Sequence, residues 1–158
     1  MKKLAKFLLL VFLLNLVRYV LGGPLEVLLV IEGMHSVMPE YPEVFNTEFS
    51  NADFLISLGY NFMLWLTAAW VFYLSHTALN GSYIIRSLKI FGLMGLFFIS
   101  LAAVYMNHYT EEVRPFYLYS MLDALILFPI VGVANGLLFP LLFKEEVRPS
   151  PGAASRKS

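Results

Sequence analysis

Cysteine is absent from the chain, and charged residues are scarce. The 158 residues include 0 Cys, which excludes disulfide bonds, thiolate metal clusters and cysteine nucleophiles. Charged residues make up 14% of the sequence and the formal net charge is +0, whereas a soluble domain contains about 25% charged residues. Because the chain has no excess of positive charge to attract phosphates, nucleic acid is excluded as its partner.

Apolar residues are abundant instead, and they occur in long runs. Hydrophobic residues make up 59% of the sequence and the mean hydropathy is +0.71. Four runs, 4–21, 54–75, 84–106 and 116–143, approach or exceed the roughly 20 helical residues that cross a bilayer core of about 30 Å. The runs are continuously apolar, and lone strands cannot satisfy their backbone groups in lipid. The sequence therefore predicts an all-α integral membrane protein, a bundle of four transmembrane helices within one domain, 1–143.

The first run has a second interpretation as a cleavable signal peptide, because Lys2, Lys3 and Lys6 lie at its start and two glycines follow it. Cleavage there would leave Pro24 at the start of the mature chain, and no A-x-A-like site is present. An uncleaved helix is therefore favoured.

The segments outside the four runs are short. Residues 22–53 are predicted to form an external cap, in which the apolar piece Leu25 to Ile31 is too short to span and lies along the membrane surface or folds back. Residues 144–158, rich in Pro, Ser and Ala, are predicted to be a disordered cytoplasmic tail.

The basic residues predict an orientation. With the N-terminus inside, nine of the 11 basic residues fall on the cytoplasmic side, namely Lys2, Lys3, Lys6, Arg86, Lys89, Lys144, Arg148, Arg156 and Lys157. We therefore expect both termini to be cytoplasmic, in a bacterial inner membrane.

Polar residues inside the runs are the first candidates for a site, since a charge at membrane depth needs a partner. At 1.5 Å per residue, Arg18 and Asp123 lie at matching depth in the outer half of the membrane. A polar cluster is predicted there, made of Asn15, Arg18, Asn61, Tyr119 and Asp123. It has three interpretations: an ion pair that locks two helices, a contact with a partner or substrate, or a proton or ion relay.

The external loop between the last two runs is a second candidate. It contains His108, Glu111, Glu112 and Arg114, but no zinc-protease spacing of His and Glu occurs. Neither a metal nor a cofactor is expected. In the last run, Gly132 and Gly136 form a G-x-x-x-G motif, which is typical of a helix-packing face towards a partner or within the chain.

The four-span layout, the acidic external segment and the last run, which begins Arg114-Pro-Phe-Tyr-Leu-Tyr-Ser-Met-Leu-Asp, resemble the small membrane proteins that accompany bacterial exosortases, notably the exosortase X-associated group. The resemblance covers most of 1–143. It implies an accessory role beside a sorting enzyme, with no catalytic residues in this chain, because exosortases use a cysteine.

Three functions follow as hypotheses. The first is a non-catalytic accessory or scaffold subunit of a membrane complex, bound to the lipid bilayer and to a membrane protein such as an exosortase, or to copies of itself. The second is a small transporter or channel component with a polar path through Arg18 and Asp123. The third is a membrane enzyme that acts on lipid through His108, Glu111, Glu112 and Arg114.

Overall fold

The structure, a computed structural model, describes residues 2–143, and this part of the chain is helical apart from its connections. Within residues 2–143, four helices are long and apolar enough to cross a membrane: α1 (Lys2–Glu40), α2 (Asn51–Ser75), α3 (Tyr83–Met106) and α4 (Arg114–Leu142). The prediction of an all-α chain with four candidate spans is thereby confirmed. The expected tail, 144–158, lies outside the described residues.

The first helix differs from its predicted extent. We expected it to end at Leu21, with 22–53 as a cap, but the helical backbone continues to Glu40 and leaves only 41–50 outside a helix before α2. The apolar piece Leu25 to Ile31 therefore prolongs α1 instead of lying along the membrane surface or folding back. At 39 residues, α1 is about 58 Å long at 1.5 Å per residue.

Two π-helical turns allow α1 to continue past its glycine and proline residues. Pro24 has no backbone N–H and so interrupts the hydrogen-bond ladder of an α-helix. The backbone adopts π-helical turns at Arg18–Gly22 and Val27–Ile31, and the N–H of Gly23 bonds to the carbonyl of Arg18, five residues back. Such turns, together with a neighbouring helix, let a membrane helix pass a proline without ending.

The extended α1 lies antiparallel to α4 along its whole length. Phe7 and Phe143 line one cavity at one end of the pair. Near the middle, Gly22 faces Leu127, and towards the other end Gly33 lies against the ring of Tyr119. Because Gly33 has no side chain, the tyrosine ring packs directly on the α1 backbone there.

Aromatic residues from three helices form the centre of the core. Trp65 of α2 is fully buried, and its ring centroid lies 6.3 Å from that of Phe91 on α3 and 5.2 Å from that of Phe128 on α4. From α1, Leu10 and Leu14 complete the same cluster. The core therefore joins all four helices.

The closest helix pair is α3 and α4, and small residues of α4 make it so. A Cβ added to Gly136 would lie 2.5 Å from the Cα of Ile84, so the two backbones touch at this point. Asn135, the residue before Gly136, donates a hydrogen bond of 2.9 Å to the hydroxyl of Ser87, which lies about one turn along α3 from Ile84. This bond is buried and links the two helices directly.

Basic side chains hold the turn between α2 and α3. Arg86 donates to the carbonyl of Gly81 at 2.7 Å and to that of His76 at 3.1 Å, and Lys89 donates to the carbonyl of Asn80 at 3.1 Å. Gly81 has a φ of 111°, a conformation that favours glycine. The turn thus satisfies carbonyl groups left free at the end of α2.

Candidate functional site

The most polar feature inside the bundle begins with an ion pair within α1. The guanidinium of Arg18 contacts and donates to the carboxylate of Glu26. The side chains are 15% and 8% exposed, so both charges are largely removed from solvent. The guanidinium also lies 4.5 Å from the ring centroid of Tyr19, at a distance suited to a cation–π contact.

The π-helical turns explain why two residues eight positions apart can pair. In a regular α-helix, eight residues at 100° each leave the second side chain about 80° away from the first. A widened turn accommodates one extra residue, so Arg18 and Glu26 point as residues seven apart would, on nearly the same face. The Gly-Gly-Pro sequence and the ion pair therefore belong to the same local structure.

Asp123 of α4 completes the group, which we call the charged triad: Arg18, Glu26 and Asp123. Gly22, one turn before Glu26, packs on Leu127, one turn after Asp123, so Asp123 lies beside Glu26 and interacts with both charges of the ion pair. One oxygen, Oδ1 of Asp123, is buried without a hydrogen-bond partner, as is Nε of Arg18. Asp123 lies nine residues along α4 from Arg114, about 14 Å at 1.5 Å per residue.

The charged triad joins α1 to α4 and is unbalanced in charge. One guanidinium faces two carboxyls, and the guanidinium cannot lose its proton in a protein. Burial of an ion pair is costly unless its geometry and its other hydrogen bonds are good. Arg18 and Glu26 bond to each other while Nε of Arg18 is left without a partner, and the carboxyl of Asp123 is left without a cation of its own.

Three members of the predicted polar cluster lie apart from the charged triad. Asn15 is buried and donates 2.9 Å to the carbonyl of Val11, one turn back on α1, while its Oδ1 has no partner. Asn61 donates 3.1 Å to the carbonyl of Ser57 on its own helix. Tyr119 packs on α1 at Gly33, further along the helix pair than Asp123.

The loop candidates form one exposed ion pair. Arg114 and Glu111 form an ion pair of 3.7 Å at the start of α4, with side chains 41% and 87% exposed. The pKa of Glu112 is lowered by hydrogen bonds from its own backbone N–H and from the Thr110 hydroxyl, and less by Arg114. His108 is exposed, and its backbone N–H bonds to the carbonyl of Tyr105. These contacts describe a solvated loop.

The G-x-x-x-G face is occupied within the chain. Gly132 lies against Phe91, and Gly136 lies against the backbone of Ile84, both on α3. Because α3 covers this face, Gly132 and Gly136 set the spacing of two helices of this bundle, and a partner helix would have to dock elsewhere.

Glu26 is the member of the charged triad that sequence reasoning missed, because it was assigned to the external cap. A signal was present, since Arg18 needed an acidic partner and Glu26 is the next acidic residue along the chain. In residues 2–143, no group of three or more His, Asp or Glu side chains is arranged to hold a metal ion. Comparisons with protein-family models, curated proteins and solved structures found no match.

Proposed function

We propose that the protein is a non-catalytic accessory or scaffold subunit of a complex in a bacterial inner membrane, with both termini cytoplasmic. The partner class that its sequence layout suggests is an exosortase-type sorting enzyme. The positive charge on the predicted cytoplasmic side, including Arg86 and Lys89 at the α2–α3 turn, supports this orientation.

The proposal rests on one observation: only a narrow stripe of α2 side chains packs against the rest of the bundle. Its buried side chains are Trp65, Ala68, Ala69 and Phe72, spaced as a single stripe, and only 17% of the residues in its most apolar stretch are buried. Thr67 lies outside the stripe and satisfies itself on the carbonyl of Met63. The remaining face of α2 is exposed and largely apolar, and we propose that a helix of the partner covers part of it.

Glycines on the outward surface allow a matched test of this face. A Cβ at Gly59 of α2 or at Gly92 of α3 would meet nothing within 4 Å, so neither position is tightly packed within the chain. We would purify the tagged protein in mild detergent and identify bound proteins by mass spectrometry. If α2 is the docking face, Gly59→Leu should release a partner that Gly92→Leu retains.

The expected partner is a stoichiometric multi-pass membrane protein with a cysteine and a histidine at membrane depth. Recovery of the protein only as a homo-oligomer would contradict the accessory role. Equal retention of the partner by both variants would place the interface away from α2.

The charged triad favours a second candidate function, a small transporter or channel component. Its buried, unpartnered atoms on Asp123 and Arg18 are the kind that a polar path requires. Proton flux into vesicles containing the purified protein, followed with a pH-sensitive dye, separates the two functions. A scaffold gives no flux and still binds its partner when Arg18→Gln and Asp123→Asn are combined, whereas a transporter gives flux that this double variant loses.

A further inference from the structure

We propose that the charged triad is a proton-binding site that holds one proton between the carboxyls of Asp123 and Glu26. The site is built from two helices, since Glu26 and Arg18 belong to α1 and Asp123 to α4. Its ligand is a single proton, and the site does not depend on which partner the protein binds.

The first argument is the contact between the two carboxyls. The Asp123 carboxyl lies beside that of Glu26, because Gly22, one turn before Glu26, packs on Leu127, one turn after Asp123, and the two carboxyls interact. Two ionised carboxylates have only acceptor atoms, so they can form a hydrogen bond only when one of them carries a proton. In other proteins, two adjacent buried carboxyls share one proton, because both cannot be ionised side by side.

The second argument is charge balance in a poorly solvated place. The charged groups that interact with Asp123 are Glu26 and Arg18, both on α1, whereas the charged residues of α3, Arg86 and Lys89, lie at the end of that helix that packs on Gly136. With both carboxyls ionised the site carries one net negative charge. A single bound proton makes it neutral, which is the state that membrane depth favours.

The third argument is the burial of the atoms involved. The side chain of Glu26 is 8% exposed, and Oδ1 of Asp123 has no hydrogen-bond partner in the described part of the chain. Bulk water is therefore a poor alternative to a proton for stabilising the second carboxyl. The side chain of Arg18 is 15% exposed, so a proton can reach the site from the side on which Arg18 lies.

Charge balance also predicts a different number of protons for each variant. Removing either carboxyl, by Glu26→Gln or Asp123→Asn, leaves one cation with one anion and no proton. Removing the cation, by Arg18→Gln, leaves two carboxyls that must both be protonated. The expected proton counts are one for the natural chain, zero for each carboxyl variant and two for the arginine variant.

Infrared spectroscopy of the full chain in lipid vesicles counts these protons, because a carboxylic acid and a carboxylate absorb at different frequencies. At about pH 7.5, carboxyls with ordinary pKa values of about 3.9 and 4.3 are ionised and do not contribute to the acid band. We expect an acid band in the natural chain, its loss in both carboxyl variants, and about twice its intensity in Arg18→Gln. Glu32→Gln, which removes an exposed carboxyl of the same helix, should leave the band unchanged.

Two results would overturn the proposal. One is a natural chain without an acid band, which means that both carboxyls are ionised, with or without a bound metal cation. The other is a band that survives in both carboxyl variants. Should one carboxyl variant fail to fold, the other still decides, because the band of the natural chain must be lost in it.

Discussion

Gly136→Ala tests the closest helix contact in the molecule. The added Cβ would lie 2.5 Å from the Cα of Ile84, 2.9 Å from its backbone nitrogen and 3.0 Å from the carbonyl oxygen of Tyr83. All three are backbone atoms, so no side-chain rotation can relieve the overlap. The helices must separate or slide, and overpacking of this kind costs about 1–3 kcal/mol.

A second effect of the same substitution acts in the opposite direction. Alanine is more favourable than glycine inside a helix by about 0.8–1.0 kcal/mol in water. Gly92→Ala gains the same term without any clash, because nothing lies within 4 Å of its Cβ. The difference in unfolding free energy between the two variants therefore isolates the overlap, at about 1–3 kcal/mol in favour of Gly92→Ala.

Gly132→Ala is a third variant for the same comparison of unfolding free energies. Its Cβ would lie 3.0 Å from the Cβ of Phe91 and 3.5 Å from a methyl group of Leu88. These neighbours are side-chain atoms and can shift more than a backbone can. We expect Gly132→Ala to fall between the other two variants.

The assay is equilibrium unfolding in mixed micelles, in which the fraction of denaturing detergent is raised and tryptophan fluorescence is followed. The chain contains 2 Trp, and Trp65 reports on the core between α2, α3 and α4. If Gly136→Ala proves as stable as Gly92→Ala, the close approach of α3 and α4 is wrong.

Three further substitutions test other contacts. Asn135→Leu removes the buried hydrogen bond to Ser87 and should lower the unfolding free energy by about 0.6–1.7 kcal/mol, whereas unchanged stability in the same assay would show that the bond contributes nothing. Arg18→Ala and Asp123→Ala should not be additive, with a coupling of about 0.5–3 kcal/mol between neighbours; additive losses in a double-mutant cycle would separate Asp123 from the charged triad. Asn46→Cys places a single thiol in the connection between α1 and α2, and in intact cells we expect a membrane-impermeant maleimide to label it; labelling only after lysis would reverse the orientation.

Much of the fold could be predicted from apolar run length alone. The predicted bounds of α2, α3 and α4 match the structure closely, the largest difference being Asn51 against residue 54 at the start of α2. Capping explains that difference, because the Ser50 hydroxyl accepts from the Asp53 N–H at 3.2 Å and starts the helix before its apolar part. A prediction based on apolar runs misses such a first turn, because its residues are polar.

The end of α1 could not be predicted in the same way. Gly22, Gly23 and Pro24 are helix breakers in water, and the rules that identify them as such assume no support from neighbouring helices. In the structure the face of α4 continues past them, and Leu127 packs on Gly22 where a larger side chain would not fit. The length of the last run, 116–143, was the available clue, since a helix that long needs a partner of similar length.

The charged triad could likewise be predicted only in part. Arg18 and Asp123 could be paired by depth, because both positions depend only on residue counts along regular helices. Glu26 could not, because its place depends on the helix continuing past Pro24. Asn15 and Asn61 were grouped with the charges by depth, but amide side chains can bond to a carbonyl one turn back and need no partner on another helix.

The central claim is that α1 continues beyond Leu21 and lies along α4, which is what brings Glu26 to Asp123. Because the chain contains 0 Cys, a double variant with Gly33→Cys and Tyr119→Cys carries only the two thiols of interest. In membranes, a short bifunctional thiol reagent should cross-link these positions efficiently, since the Tyr119 side chain contacts Gly33. No cross-link, with the thiol at residue 33 freely labelled by water-soluble reagents, would contradict the extended helix and the charged triad built on it.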